Sequence, residues 1–461
     1  MIAATSHAGA AAPAPSPPPG RAPRRAAFEV LRQVLRQGQG LDAAIQASPR
    51  WAGLEARDRA FARQLATTVL RRLGQIDAAL ADCLDRPLPR KLGAVQDLLR
   101  LGAAQVLFLD VADHAAVGET VALATGVRVG PHKGLLNAVL RRLTRERDAI
   151  LARQAAPDGP GRLNTPAWLY DRWGRHFGPA TAAAIAEQHL REPPLDLSLR
   201  DPASAEAWAE ALGAQVLPTG TLRLDSGTGD LRRLPGYDDG AWWVQDAAAA
   251  LPVRLLGPVA GREVVELCAA PGGKTAQLAA AGARLLAVDR SAERLALLTD
   301  NLARLALPAA TVTAEIQSWT PPAQADRVLL DAPCSATGTL RRHPDIAHLK
   351  RPDDIAAMAR LQAELLEAAA ALLAPGGTLV YAVCSLEPEE GPAQVARLLA
   401  ARPELARVPV TAAELDGLSD LLTAEGDLRS LPCHLAELGG LDGFYAARLS
   451  KRPLPKAPGP S

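Results

Sequence analysis

Two cysteines in this chain stand where a thiol could do chemistry rather than packing. Leu329-Leu330-Asp331-Ala332-Pro333-Cys334-Ser335 and Leu379-Val380-Tyr381-Ala382-Val383-Cys384-Ser385 each carry an apolar run of strand length into Cys-Ser. A single cysteine after an apolar strand is ordinarily a small core residue. Two of them, each leaving its strand beside a serine, fit that account poorly. The pattern predicts that both strands belong to one sheet and end on the same side of it. A thiolate there is a nucleophile for covalent catalysis, provided its surroundings favour the charged form. Asp331 adds a carboxylate at the same strand exit. The residue types alone leave open which thiol attacks, because Cys334 follows a proline as some cysteine nucleophiles do.

A second constellation lies upstream. Val264-Val265-Glu266-Leu267 leads into Cys268-Ala269-Ala270-Pro271-Gly272-Gly273-Lys274-Thr275. A strand runs into a loop of small residues, and a helix starts after it. Small residues let the backbone approach a ligand, and a helix start offers free N–H groups. The glycine spacing is not that of a Walker-type phosphate loop. The next apolar run, Leu286-Ala287-Val288, ends in Asp289, about twenty residues after the loop, where a carboxylate commonly binds a ribose diol. Ser291 and Glu293 make a helix cap the plainer reading of Asp289. Taken with the loop, the nucleoside reading is preferred.

These residues need a framework. From about Gly236 the chain alternates strand and helix, with strands expected at Glu263 to Leu267, Arg284 to Asp289, Thr311 to Glu315, Arg327 to Asp331 and Gly377 to Val383. Near-continuous apolar runs of this length read as buried parallel strands covered by helices on both faces. Ligands of such doubly wound folds bind at the carboxyl ends of the strands. Residues 24–150 read as helices only. Phe28, Leu31, Val34 and Leu35 keep helical spacing, as do Phe61, Leu65, Val69 and Leu73, and then Leu98, Leu101, Val139, Leu140 and Leu143. Between these halves, 151–163 reads as a Pro/Gly linker. The stretch to 235 reads as a small α+β subdomain, with strands at Leu195 to Leu199 and near Val216 and Leu222. The fold class is therefore multidomain: an all-α bundle, a small α+β subdomain, and an α/β Rossmann-like domain over 236–450. Residues 1–23, rich in Ala and Pro, and 451–461 read as flexible tails.

Composition narrows the function classes. A chain of 461 residues exceeds one ordinary core. The net charge of +1 conceals an asymmetry. Residues 21–150 carry 21 Lys+Arg against 13 Asp+Glu, whereas residues 236–461 carry 21 against 27. A basic module joined to an acidic one points to a polyanionic partner for the first. The five cysteines are few and scattered, which argues against a disulfide framework or a zinc site and for a reducing, cytoplasmic setting. No apolar run has membrane-spanning length and no secretory leader is visible, so neither membrane nor metal is expected.

Taken together, the motifs A-A-P-G-G-K-T, D-A-P-C-S, C-S-L-E-P-E-E and the final Asp442-Gly443-Phe444-Tyr445-Ala446-Ala447-Arg448-Leu449 resemble the NOL1/NOP2/Sun family of RNA 5-methylcytosine methyltransferases. The helical half resembles the NusB-type RNA-binding domain. The order of the halves, with the string T-G-T-L-R-R-H-P-D, is similar to the bacterial branch that modifies small-subunit (16S) ribosomal RNA. The resemblance covers nearly all of the chain after residue 23.

That resemblance implies S-adenosyl-L-methionine as methyl donor, held by Cys268, Ala269, Ala270, Pro271, Gly272, Gly273 and Lys274, with Asp289 on the ribose. Glu315 stands where the family often has an Asp that contacts the adenosine. Asp331 would lie near the methionine moiety or the target base. Cys384 takes the nucleophile's place and Cys334 that of a second cysteine that helps release the product. Glu266, Ala336 and Val383 depart mildly from the commonest family residues. Arg341, Arg342 and His343 are candidates to hold the RNA backbone, and Trp242 and Trp243 either stack on bases or pack a domain junction. Ribosomal RNA, free or partly assembled, is the expected partner, and a monomer the expected state. A non-catalytic NusB-like RNA-binding or antitermination factor is the first alternative. Methylation of a tRNA, an exocyclic amine, a small molecule or a protein is the second.

Overall fold

The computed structural model describes residues 20–155, 159–321 and 323–453. Its contacts divide the chain into two compact units. The first comprises residues 20–36, Asp42–Val69 and Ile76–Ile150. The second comprises Gln37–Leu41, Leu70–Gln75 and the described residues from Leu151 onward.

The first unit is helical throughout its regular structure, with long helices such as Arg21–Gln37, Ala56–Arg71, Gly93–Phe108 and Asp113–Gly126. Helical spacing places Phe28, Leu31, Val34, Leu65, Val69, Leu98 and Leu101 in its core, as their periodicity requires. The first helix begins at Arg21, so Arg21 to Pro23 belong to it rather than to a tail. A proline in a first helical turn costs no hydrogen bond. The rest of the expected N-terminal tail lies outside the described residues. Part of the unit's basic surplus is internal. Arg24 is buried and donates to Gln105 Oε1 at 2.7 Å, and Arg100 donates to both oxygens of Asp77 at 2.7 and 2.6 Å.

The second unit holds two sheets. Strands β1 (Leu195–Leu199), β2 (Gln215–Val216), β3 (Leu222–Leu224) and β4 (Trp242–Val244) form an antiparallel sheet in the order β2-β3-β1-β4. The large sheet contains β5 (Glu263–Leu267), β6 (Arg284–Asp289), β7 (Ala310–Thr313), β8 (Ala325–Asp331), β9 (Leu373–Val383), β10 (Leu405–Arg407), β11 (Leu428–Ser430) and β12 (Phe444–Lys451). Its order is β10-β12-β9-β8-β5-β6-β7, with β11 also on β12. Strands β5 to β9 pair in parallel, and β12 runs antiparallel to β9. Alternate residues supply two separate cores. Val264, Leu329 and Val380 enter one, and Val265, Val328 and Tyr381 enter the other, as the two-residue period of a strand dictates. Helices cover both faces, which is why these strands read as continuous apolar runs.

The expected linker is partly helical. Lys133–Gln154 extends into it, and Gly159–Asn164 forms a short helix after residues that lie outside the description. The helix Ala167–Phe177 and the strands β10 and β11 carry no strong sequence pattern and were not anticipated. The outer strand order matters for function. Strand succession reverses between β5 and β8, which opens a crevice beyond their carboxyl ends. Among the described residues no helix is long and apolar enough to cross a membrane.

Candidate active site

A cavity of about 810 Å³ opens at that crevice, large enough for a nucleoside cofactor and a base. Its walls include Glu266, the whole run Ala269 to Lys274, Asp331, Thr339, Arg342, His343, Cys384 and Phe444. Every lining residue belongs to the second unit.

The small-residue loop leaves β5 through Cys268, whose φ is +59°. Gly272 has φ +102°, and a Cβ there would lie 2.8 Å from Leu298 Cγ. Both observations require glycine. The helix Gly273–Ala280 then starts with its N–H groups toward the crevice end of the sheet. Asp289, at the end of β6, is 2% exposed. Its carboxylate accepts the Ala270 N–H at 3.1 Å and the Ser291 N–H at 2.9 Å. It thus braces the loop as well as standing beside it, while the following helix is capped by Ser291 instead. Glu315 lies exposed just beyond β7, whose Thr313 pairs with Asp289. Cys268, Asp289 and Glu315 are not among the cavity walls.

Lys274 is nearly buried, and its ammonium bonds Asp331 Oδ2 at 2.7 Å and sits 5.0 Å from the Phe444 ring centre. Glu266, a charged residue inside an apolar strand, was noted in sequence only as a departure. It is 1% exposed, and its Oε2 has no protein partner. Burial pushes its pKa up to about 8. A carboxyl in the cavity wall with an open acceptor suits a cationic ligand group.

The two cysteines meet. Their strands are adjacent and in register, with Asp331 opposite Ala382, and the sulfurs of Cys334 and Cys384 are 3.4 Å apart. Cys384 lines the cavity, whereas Cys334 lies behind it. The bond to Cys384 and burial push the Cys334 thiol well above its ordinary range. Cys268 is pushed up to about 12 by burial, which removes it as a nucleophile. Between the two thiol loops, Gly338 approaches Gly443 so closely that a Cβ would sit 1.9 Å from the Gly443 oxygen.

The basic string separates on folding. Arg341 is 1% exposed, and its guanidinium donates to Asp442 at 3.0 Å, to the Gly439 carbonyl at 2.9 Å and to Asp246. The expectation that it holds RNA is therefore corrected. Its charge is committed to two buried aspartates, of which Asp246 also caps the helix Ala247–Arg254. Arg342 donates to Asp442 from Nε at 2.7 Å but still reaches the cavity wall, as does His343. Trp242 and Trp243 are 0% and 2% exposed and pack in two separate clusters, although both also border the cavity.

The motifs converge with what comparison shows. Residues 253–450 match the family described as 16S rRNA methyltransferase RsmB/F, and residues 21–145 match the NusB family. Ribosomal RNA small subunit methyltransferase B of Erwinia tasmaniensis is 39% identical over 386 residues, covering 81% of this chain and 89% of that protein. The protein of the same name from Citrobacter koseri is 38% identical, covering 82% and 90%. Among solved structures, PH0851 is similar over 94% of this chain and 99% of its own, with a TM-score of 0.74 at 23% identity. A methyltransferase homologue from Pyrococcus horikoshii gives a TM-score of 0.53 at 26% identity, over 63% of this chain and 96% of its own.

Proposed function

The chain belongs to the RsmB/F family of methyltransferases, with a NusB-family domain at its N-terminal side, and from that premise we propose that it methylates carbon-5 of a cytosine in small-subunit ribosomal RNA. The observation that carries this reading is the pair of sulfurs 3.4 Å apart at the ends of adjacent strands. One of them opens into the cavity lined by the small-residue loop. A methyltransferase acting on a nucleophilic amine has no use for a thiol pair there.

The residues fit S-adenosyl-L-methionine. The Ala269 to Gly273 backbone admits close approach, Asp289 stands at the second strand end, and the buried Glu266 carboxyl, which keeps its proton in the free protein, would give it up on pairing with an amino-acid ammonium. When bound, that molecule supplies an electrophilic methyl group. The protein's own residues do the rest. Carbon-5 of cytosine is a poor nucleophile, and the Cys384 thiolate changes that by forming a bond to carbon-6. The ring becomes an enamine, and the electron pair at carbon-5 takes the methyl. The carbon-5 proton then passes to water, the Cys384 sulfur departs as the thiolate, and N3 gives back its proton, which restores the aromatic ring.

Asp331, anchored by Lys274, would relay the proton lost by the Cys384 thiol to N3 of the base, which neutralises the negative charge that develops there as sulfur adds. We assign the release step to Cys334, whose sulfur lies 3.4 Å from that of Cys384. The target base must leave its stack to enter the cavity, and Arg342 and His343 at the wall are placed to meet its phosphate. The basic helical domain meets the same RNA.

The test is the product. Protein, small-subunit ribosomal RNA and labelled S-adenosyl-L-methionine should yield labelled 5-methylcytidine after digestion to nucleosides. Labelled N4-methylcytidine, or a methylated protein with unlabelled RNA, would overturn the assignment. Bisulfite sequencing of ribosomal RNA with and without the enzyme then gives the position.

A further inference from the structure

We propose that Glu390 is the positioning residue of the two-thiol site: its carboxylate fastens the Cys334 loop to the Cys384 loop and so sets the spacing of the sulfurs. The proposal rests on the reading of Cys384 given above. Each cysteine is followed by a serine, and both serines turn onto this one carboxylate. Ser335 donates its backbone N–H to Oε1 at 2.8 Å and its hydroxyl to Oε2 at 2.5 Å. The Ser385 hydroxyl donates to the same Oε2. Gln362 joins them, donating to Oε1 at 3.3 Å and to the Pro333 carbonyl, just before Cys334, at 2.9 Å. The Glu390 backbone is held too, since the Tyr381 hydroxyl donates to its carbonyl at 2.6 Å.

Glu390 is fully buried and does not reach the cavity. It touches neither substrate nor cofactor, so it acts through the loops. Its neighbours in the acidic run are held differently. Arg172 takes Glu387, itself buried, at 2.6 Å and Glu389 at 2.7 Å, whereas Glu390 is held by the two serines and Gln362. Burial raises the Glu390 pKa, and the bonds from both serines oppose that shift. A buried carboxyl is retained where it satisfies several donors at once. Without it, the exits of β8 and β9 keep the backbone bonds from Ala332 to Ala382 and from Gly338 to Cys384, the Leu386 N–H bond to Thr337 Oγ1 at 3.0 Å and the contact of the Ser335 and Ser385 hydroxyls at 3.2 Å, but lose the one group that takes both serines together.

Glu390→Gln tests this. The amide keeps the shape but turns one acceptor into a donor facing groups that themselves donate. Thiol spacing is read without RNA by diamide, which takes two electrons and two protons from a thiol pair and leaves an internal disulfide. Cys334→Ala serves as the blank. The variant should bind S-adenosyl-L-methionine like the parent and unfold cooperatively. Its cross-linking should slow by about tenfold or more, and its kcat should fall about 10²-fold with KM for RNA unchanged, as for a misplacement near 1 Å.

A parental cross-linking rate would overturn the clamp and leave the proposed function standing. Slow cross-linking with undiminished kcat would overturn the link between thiol spacing and turnover, and with it the two-thiol chemistry. Should Glu390→Gln not fold, Ser335→Ala with Ser385→Ala removes the two hydroxyl bonds to Oε2, leaving the Ser335 N–H and Gln362 bonds to Oε1, and is read in the same way for a smaller loss.

Discussion

The two ends of the cavity are built by different means. The loop end is local: Ala269 to Lys274 are consecutive, Gly272 supplies the turn, and the nearest brace, Asp289, is 19 residues from the Ala270 it holds. The thiol end is assembled from distant parts. Ser335 and Glu390 are 55 residues apart, Arg341 and Asp442 101, and Asp246 and Asp442 196. A backbone cradle for a cofactor can be written in one motif. A nucleophile with a fixed partner needs the sheet, its crossovers and a buried polar network to agree.

The sharpest separation of the two ends comes from removing the nucleophile. Cys384→Ala should lower methylation by about 10⁴-fold or more while cofactor affinity, measured by calorimetry, stays within a factor of two or so. Loss of both together would mean that the ends are one structural unit. Next in size is the buried arginine. Arg341→Met leaves Asp246 and Asp442 without their shared cation, although Arg342 still holds one oxygen of Asp442. Removing one side of a buried ion pair costs about 3–5 kcal/mol, which urea unfolding should report. An exposed, RNA-binding arginine would instead weaken RNA binding and leave stability unchanged.

Gly272→Ala should strike the loop end. A positive φ in a non-glycine residue, with Leu298 in the way, costs on the order of 1–3 kcal/mol, so cofactor affinity should drop roughly tenfold while diamide still links the two thiols. Equal damage to both ends would break the comparison.

A pH dependence in Glu266 bears on the cavity wall rather than on either end alone. Its pKa rises from 4.5 to about 8 because burial disfavours the charged form. The folded protein therefore keeps a proton that the unfolded chain releases. This group's contribution to stability is complete below pH 4.5, declines as pH rises, and is gone above about 8. Thermal unfolding across that range should show a slope that Glu266→Gln lessens. An unchanged slope would mean that Glu266 is ionised in the fold.

The same contrast explains what the sequence made legible. The parallel strands, the loop and both cysteines announce themselves through apolar runs that end in small or reactive residues, because both constraints are local. Asp289 was legible as a site residue, yet its bracing of Ala270 was not, because two backbone N–H groups take its carboxylate. Arg341 and Arg342 look equivalent in the chain. Only the placement of Asp246, nearly a hundred residues earlier, sends one inside and leaves the other at the cavity wall. Glu390 sits within a motif, but nothing in an acidic run says which carboxylate turns inward. The signal was there in part: a Ser after each Cys, with an acid close behind the second, offers two donors in search of one acceptor. The strands β10 and β11, three residues each, are too short for a period to show.

The most direct measurement uses an RNA substrate carrying 5-fluorocytosine. Its ring accepts sulfur and methyl, but fluorine cannot leave as a cation the way the proton does, so the covalent intermediate accumulates. The account predicts a stable protein–RNA adduct that depends on S-adenosyl-L-methionine, persists in Cys334→Ala, and maps by peptide mass to Cys384. An adduct on Cys334, or one that survives Cys384→Ala, would contradict it.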